Sequence, residues 1–235
     1  AKTPWGDPDL QGNYTNKYEN GTPFERPQEF EGRRLQDVTP QELAAVVKKR
    51  QENVLANAKF LGGDPEGRIG NSDEFRDIYE VSKGSRAWFV VDPQDGKIPP
   101  MKPDARAQFA QPAGGGRLDG PENFSLWTRC ITRGFPGSMI PGVYGNSYQI
   151  MQGPGFVAIR YEMVHDTRII RLDGAPHPGP QVHLDMGDAR GHWEGSTLVV
   201  ETTNLKQRSA YRNADAATLR IVERFTPTSR GTLEW

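Results

Sequence analysis

The sequence predicts a mainly β protein: an antiparallel barrel or sandwich, with the lipocalin type among the options, carrying one added α-helix and long Pro/Gly-rich loops. Three observations support this class. Glycine and proline supply 26 and 19 of the 235 residues, so regular elements must be short and turns many. The second half of the chain alternates apolar and polar residues with the strand period of two. One segment after residue 38 instead shows the helical spacing of three and four.

Residues 1–38 are predicted to form an extended N-terminal arm, because they are polar, contain four prolines and show little periodicity. Within the arm, residues 9–15 are expected to open a first strand. The helix begins with a capping box, in which Thr39 and Glu42 satisfy each other's backbone amides and Pro40 takes the first helical position. Gly62 and Gly63 are expected to end it.

The helix belongs to a predicted segment 39–98, which also holds the first strands, at 76–81 and 87–91, and a turn at 93–96. Residues 99–122 contain five prolines and three consecutive glycines, so they predict a loop or linker and a place for a domain boundary. Residues 123–235 are expected to form an antiparallel β region in one globular domain with the preceding part. Its strands are predicted at 148–152, 156–164, 168–172, 197–203, 218–226 and 232–235, with a loop over 175–192.

Charge and composition argue against nucleic-acid binding and against a membrane-spanning helix. With 29 basic and 30 acidic side chains, no sign of charge dominates, which argues against a general nucleic-acid binder. No apolar run approaches the ~18 residues that a membrane-spanning helix needs, so no transmembrane segment is expected.

The start at Ala1 is typical of a chain from which a signal peptide was removed, which predicts an exported, periplasmic or extracellular protein. The natural chain is expected to continue past Trp235.

The run from Gly191 to Thr202 reads G-H-W-E-G-S-T-L-V-V-E-T. It resembles the G-x-W-E-G-D-T-L-V-V-E-T signature of a family of exported bacterial proteins of uncharacterised function, with Ser196 in place of the usual Asp. The similarity covers roughly residues 125 to 226. Asp9-Leu10-x-Gly12-x-Tyr14 also resembles the opening of such proteins and, loosely, the G-x-W of lipocalin barrels. The resemblance implies export and a ligand-holding barrel, but no particular activity.

The four histidines fall within 28 positions of one another, close to several aspartates. Imidazole and carboxylate groups are ligands for Zn²⁺ or non-haem iron. The metal candidates are therefore His177, His183, Asp185 and His192. Their spacing matches no compact metal motif, so a decorated surface loop is the alternative, and no motif indicates a cofactor.

Nucleophilic or acid–base catalysis has three candidates. His165 could act as a general base, with the neighbouring carboxylate of Asp166 orienting its ring. Adjacent residues on a strand point to opposite faces, however, which argues against a direct contact between these two side chains. Cys130 is the only cysteine, and it reads either as an activated thiol or as a small buried apolar residue.

A ligand site is predicted around Arg160, Arg168, Tyr161 and Trp193, where guanidinium groups would anchor a polar group and aromatic rings would form walls. Cross-strand ion pairs and ordinary core packing are the alternative explanations for these side chains.

These patterns favour a non-catalytic protein. Two versions are open: a module that binds a small organic ligand, and an accessory subunit docked on an envelope or membrane complex through 1–38 and 99–122. The alternative is a hydrolase or lyase that uses the His/Asp loop, with or without a metal.

Overall fold

The computed structural model describes residues 1–61, 84–103, 120–121, 124–142, 144–211 and 214–235. The predicted strand at 76–81, the helix stop at Gly62 and Gly63 and most of the loop 99–122 lie outside these residues. Two compact units are present. The first comprises Ala1–Tyr14, Met101–Ile140 and Ser147–Trp235, and the second comprises Thr15–Pro100 and Pro141–Asn146. The units differ from the four predicted segments, because the arm 1–38 contributes to both of them.

The fold is mainly β, as predicted. The described residues contain eight strands in one nearly closed, barrel-shaped sheet, in which each strand lies beside the next in the chain. The strands are β1 (Gly12–Thr15), β2 (Ser147–Gly153), β3 (Phe156–Tyr161), β4 (Thr167–Arg171), β5 (Asp188–Glu194), β6 (Thr197–Thr203), β7 (Ile221–Ser229) and β8 (Thr232–Glu234).

One pair of strands breaks the expected antiparallel pattern. β4 and β5 are parallel, with Ile170 opposite Ala189, because the long segment between them carries the chain back before it pairs again. β5 itself corrects a prediction, since residues 188–192 were expected to belong to a loop. Its polar sequence hides the strand, which is defined by seven residue pairs with β6.

The inner face of the sheet forms the core of the first unit. Apolar side chains alternate inward along the strands, and Leu10 from the N-terminal segment joins them. The core residues are Leu10, Phe135, Met139, Tyr148, Ile150, Val157, Ile159, Tyr161, Ile170, Met186, Ala189, Leu198, Val200, Leu205 and Phe225. These side chains form the hydrophobic core of the first unit.

The second unit contains the α-helix α1 (Pro40–Leu61). Its predicted capping box is confirmed: the Thr39 amide donates to Glu42 Oε2 at 2.8 Å, and the Glu42 amide donates to Thr39 Oγ1 at 3.3 Å. Single 3-10 turns occur in both units, at Lys17–Glu19, Gln28–Phe30, Leu35–Asp37, Gly137–Met139 and Gln207–Ser209.

The predicted strand at 87–91 is wrong. Ala87 and Trp88 are instead buried against Phe30 in a small cluster that also receives the first turns of α1. The backbone amides of Phe89 and Val90 donate to the carbonyl of Phe24 without forming a strand ladder. The apolar run that suggested a strand marks a packing site on an irregular segment.

Among the described residues, no helix combines the length and the apolar character that crossing a membrane requires.

Candidate functional site

A buried ion pair crosses the inside of the sheet. Arg168 on β4 contacts Glu223 on β7 with both ends of its guanidinium: Nη1 lies 2.7 Å from Oε2, and Nη2 donates to Oε1 at 3.0 Å. Each side chain is only 1% exposed. In a flat sheet β4 and β7 would lie about 14 Å apart. The pair therefore depends on the curvature of the sheet.

Two aromatic side chains cover this ion pair. The ring of Phe135 lies 4.1 Å from Arg168 Cζ, in the geometry of a cation–π contact, and is fully buried. The indole N–H of Trp235 donates to Glu223 Oε1 at 2.9 Å, yet Trp235 is 43% exposed. Phe135 thus forms an inner wall, and Trp235 is the part of the cover that reaches solvent.

The electrostatics keep Arg168 charged. Burial by itself lowers the pKa of Arg168, but attraction to Glu223, together with the hydrogen bond to Glu223, outweighs burial and raises that pKa. The carboxylate of Glu223 compensates the positive charge of Arg168 within the pair. The cluster is a neutral ion pair in apolar surroundings.

Tyr161, at the end of β3, places a hydroxyl beside this pair. Its side chain is buried, and its hydroxyl makes no hydrogen bond to any described residue. Burial, the largest influence, raises the pKa of Tyr161 far above its usual value of 10.0, although Arg168 opposes this. The phenol therefore stays protonated and is a donor without an acceptor. Its neighbour Tyr148, in edge-to-face contact at 5.9 Å, differs because its hydroxyl donates to the Met139 carbonyl at 3.3 Å.

Further polar atoms in the same unit are buried and lack hydrogen-bond partners within the described ranges. They include two donors, Arg168 Nε and Trp193 Nε1, and the oxygens Thr202 Oγ1 and Asp166 Oδ2. Native proteins leave few buried polar atoms without a hydrogen-bond partner, so each of these atoms calls for an explanation.

The structure brings together only part of the predicted ligand site. Tyr161 and Arg168 lie close enough to influence each other's titration, and Trp193 packs, partly buried, against the same core. Arg160 does not join them. Ile159 is the residue opposite Arg168, whereas Arg160 lies opposite Thr167 and is exposed. The cross-strand register therefore puts Arg160 and Arg168 on opposite faces of the sheet.

The predicted metal ligands are engaged separately. Asp185 contacts Lys206 and Ser209, His192 contacts Glu194, and His183 lies 3.3 Å from the Leu205 carbonyl. Throughout the part of the chain that the structure describes, no three His, Cys, Asp or Glu side chains are arranged to hold a metal ion.

The fourth metal candidate, His177, takes part in a network that the sequence did not reveal. Its Nδ1 lies 2.7 Å from Asp188 Oδ2, and its Nε2 lies 3.4 Å from Glu201 Oε1. Arg190 also holds Asp188, at 2.7 Å. His177 thereby ties the loop before β5 to the outer face of β5 and β6.

The catalytic candidates do not form a constellation. His165 is exposed in the turn between β3 and β4, with a left-handed φ of 58°, and Cys130 is exposed in another turn, with a φ of 53°. Asp166 uses its backbone carbonyl to accept from the Tyr161 amide at 2.9 Å. No hydrogen bond or ion pair of the described residues joins these three side chains to one another.

Sequence reasoning missed Glu223, Phe135 and Trp235. A signal for Glu223 was present, since it takes an inward position between Ile221 and Phe225, where the alternation of β7 calls for an apolar residue. Phe135 and Trp235 offered no comparable signal, because only the three-dimensional structure brings them to β4 and β7.

Comparison with known proteins adds no assignment. No protein-family model, no curated protein and no solved structure matches this chain. The site must therefore be interpreted from its own geometry: a compensated ion pair, a buried phenol donor and an aromatic cover that reaches solvent.

Proposed function

We propose that this protein is a non-catalytic binding module that holds a small organic molecule at the cluster formed by Tyr161, Arg168 and Glu223. The observation that carries the proposal is the buried Tyr161 hydroxyl without an acceptor. Leaving a buried donor unsatisfied costs roughly 1–3 kcal/mol. A bound molecule that accepts this hydrogen bond recovers the cost, which gives the cluster a reason to bind.

We place the access to the cluster beside Trp235. The indole is the exposed member of the cover and is attached to the ion pair by one hydrogen bond, to Glu223. We expect that rotation of this side chain would uncover Glu223 without breaking the strand pairing between β2 and β7. Phe135 stays fully buried against the guanidinium of Arg168, which makes the surroundings of the cluster apolar.

The cluster is unsuited to acid–base catalysis. Arg168 and Glu223 are occupied with each other at both ends. Tyr161 is a poor proton donor to a reacting group because burial raises its pKa so far. A hydrolase or lyase that uses the His/Asp loop, with or without a metal, remains the alternative prediction, and it would require a substrate to assemble groups that lie apart here.

The accessory-subunit version has less support. It places the docking on 1–38 and 99–122, but within 1–38 Leu10 is buried in the core of the first unit and Phe30 in the cluster of the second. The arm therefore has packing partners within its own chain.

Native mass spectrometry of the protein purified from its own cells tests the proposal. We expect a small added mass relative to the denatured protein of the same sample, and we expect Tyr161→Phe to reduce its occupancy. Tyr148→Phe is the matched control, since its hydroxyl already has an acceptor. An added mass that is unchanged in Tyr161→Phe, or the absence of one together with no binding in a ligand screen, contradicts the proposal.

A further inference from the structure

We infer that the ligand of this site is electrically neutral and presents an oxygen acceptor on an apolar, planar body. This inference rests on the proposed function and adds the chemical class of the ligand. Three features of the cluster lead to it: the compensated charge, two buried donors without an acceptor and the aromatic side chains around them.

The charge argument concerns Arg168. A single free guanidinium in an apolar barrel would select a carboxylate or phosphate. Here both ends of the guanidinium are held by Glu223, at 2.7 and 3.0 Å. An anionic ligand would have to displace Glu223, or stay buried with no cation of its own. Burying an ion without a partner costs several kcal/mol, so the site discriminates against anions.

The hydrogen-bond argument concerns two donors. The Tyr161 hydroxyl and the Arg168 Nε–H are both buried and have no acceptor among the residues described. Each can be satisfied by a carbonyl, ester or ether oxygen, which accepts hydrogen bonds without carrying a charge. A ligand that offered only donors would leave both groups unsatisfied.

The shape argument concerns the aromatic side chains around the cluster. The rings of Phe135 and Tyr148 and the indole of Trp235 all lie against members of the cluster. Flat aromatic surfaces favour a planar apolar body, which stacks on them or meets them edge to face. A neutral aromatic ester therefore combines the required features.

Three probes that share a naphthalene ring test the inference: methyl 2-naphthoate, 2-naphthoate and naphthalene. Their dissociation constants are measured by ligand-observed NMR on the full chain above pH 6, where naphthoate is an anion. We expect the ester to bind at least tenfold more tightly than the anion. We expect Tyr161→Phe to weaken the ester about two- to tenfold, the effect of one lost hydrogen bond, and to leave naphthalene unchanged.

Arg160→Gln is the matched control, because Arg160 lies on the outer face, and it should change none of the three constants. Binding of naphthoate as tight as that of the ester overturns the neutral class but leaves the binding module standing. Failure of all three probes to bind overturns the proposed function itself. Equal weakening of the ester by Arg160→Gln and Tyr161→Phe places the probes outside the cluster and overturns the inference.

Discussion

Arg168 and Glu223 contact each other across the sheet although β5 and β6 separate their strands. The pair links the two sides of the barrel at a point where hydrophobic side chains would also fit. Buried pairs of this kind rarely add stability over apolar residues of the same size, but removing one partner leaves a stranded charge. This asymmetry leads to a direct test.

Glu223→Gln is expected to destabilise the protein by about 3–5 kcal/mol, because Arg168 would remain buried without its counter-charge. The double variant Arg168→Met with Glu223→Leu is expected to be near wild type in stability, since it removes both charges. Urea denaturation of the single and double variants measures both values. The exposed pair of Arg224 and Glu194 is the control: Glu194→Gln should leave the urea midpoint close to that of wild type, because water screens an exposed pair. A double variant as unstable as Glu223→Gln would contradict the argument.

Tyr161→Phe and Tyr148→Phe should shift stability in opposite directions in the ligand-free protein. Removing the unsatisfied Tyr161 hydroxyl is expected to stabilise the fold by about 1 kcal/mol, and removing the bonded Tyr148 hydroxyl to destabilise it by about 1 kcal/mol. Chemical denaturation after extraction of any bound molecule gives both numbers. If both variants lose stability equally, the Tyr161 hydroxyl has a partner in the free protein.

The fold class was accessible from the sequence because strand patterning is local. The alternation in β2, β3, β4 and β6 places the right residues inside, and the capping box at Thr39 identifies the start of α1. β5 was not recognised, because its inward positions are Ala189, Gly191 and Trp193, and the rest of the strand is charged or polar. Its strand form depends on pairing with β6, a non-local interaction.

Only part of the candidate site could be predicted from the sequence. Arg168 and Tyr161 stood out as polar groups near apolar neighbours, but Arg160 looked equally suitable until the register with β4 separated the two arginines. Glu223 lies 55 residues from Arg168 in the chain, so their contact depends on how the sheet curves. Local patterns carry no information on that curvature.

Gly191, the first residue of the signature segment, has a structural role on the inner face of β5. A Cβ at this position would lie 2.8 Å from Ile170 Cγ2 and 2.9 Å from Leu172 Cδ2. Gly191→Ala is therefore expected to destabilise the protein by about 1–3 kcal/mol through overpacking, measured by thermal or urea denaturation. Gly137→Ala is the control, since a Cβ there meets nothing within 4 Å. Equal costs at both positions would mean that the core around β5 yields readily.

Val164 adopts a left-handed backbone conformation, with a φ of 64°, in the turn between β3 and β4. That conformation costs a β-branched residue roughly 1–2 kcal/mol, whereas asparagine tolerates it. Val164→Asn is expected to raise the free energy of unfolding by about 1 kcal/mol. Val182→Asn, at an exposed valine whose φ is not positive, should change it by less than about 0.5 kcal/mol. A loss of stability in Val164→Asn would show that the valine side chain packs more usefully than its backbone strain costs.

Glu42 makes the start of α1 sensitive to acid. A hydrogen bond from Arg33, followed by those from the Thr39 amide and hydroxyl, lowers the pKa of Glu42 from 4.5 to about 2. Because the folded-state pKa is depressed, the stabilisation is fully present above the unfolded value of 4.5 and is lost as the pH falls through about 2.

Glu42→Gln should therefore be less stable than wild type at pH 7, and the difference should shrink between pH 4.5 and pH 2. Amide hydrogen exchange in the first turn of α1, followed from pH 7 to pH 2 after correction for intrinsic rates, measures this locally. Glu52→Gln, farther along the same helix, controls for loss of one carboxylate without disturbing the capping box. A gap between wild type and Glu42→Gln that stays constant down to pH 2 would mean that the carboxylate charge does not stabilise the helix start.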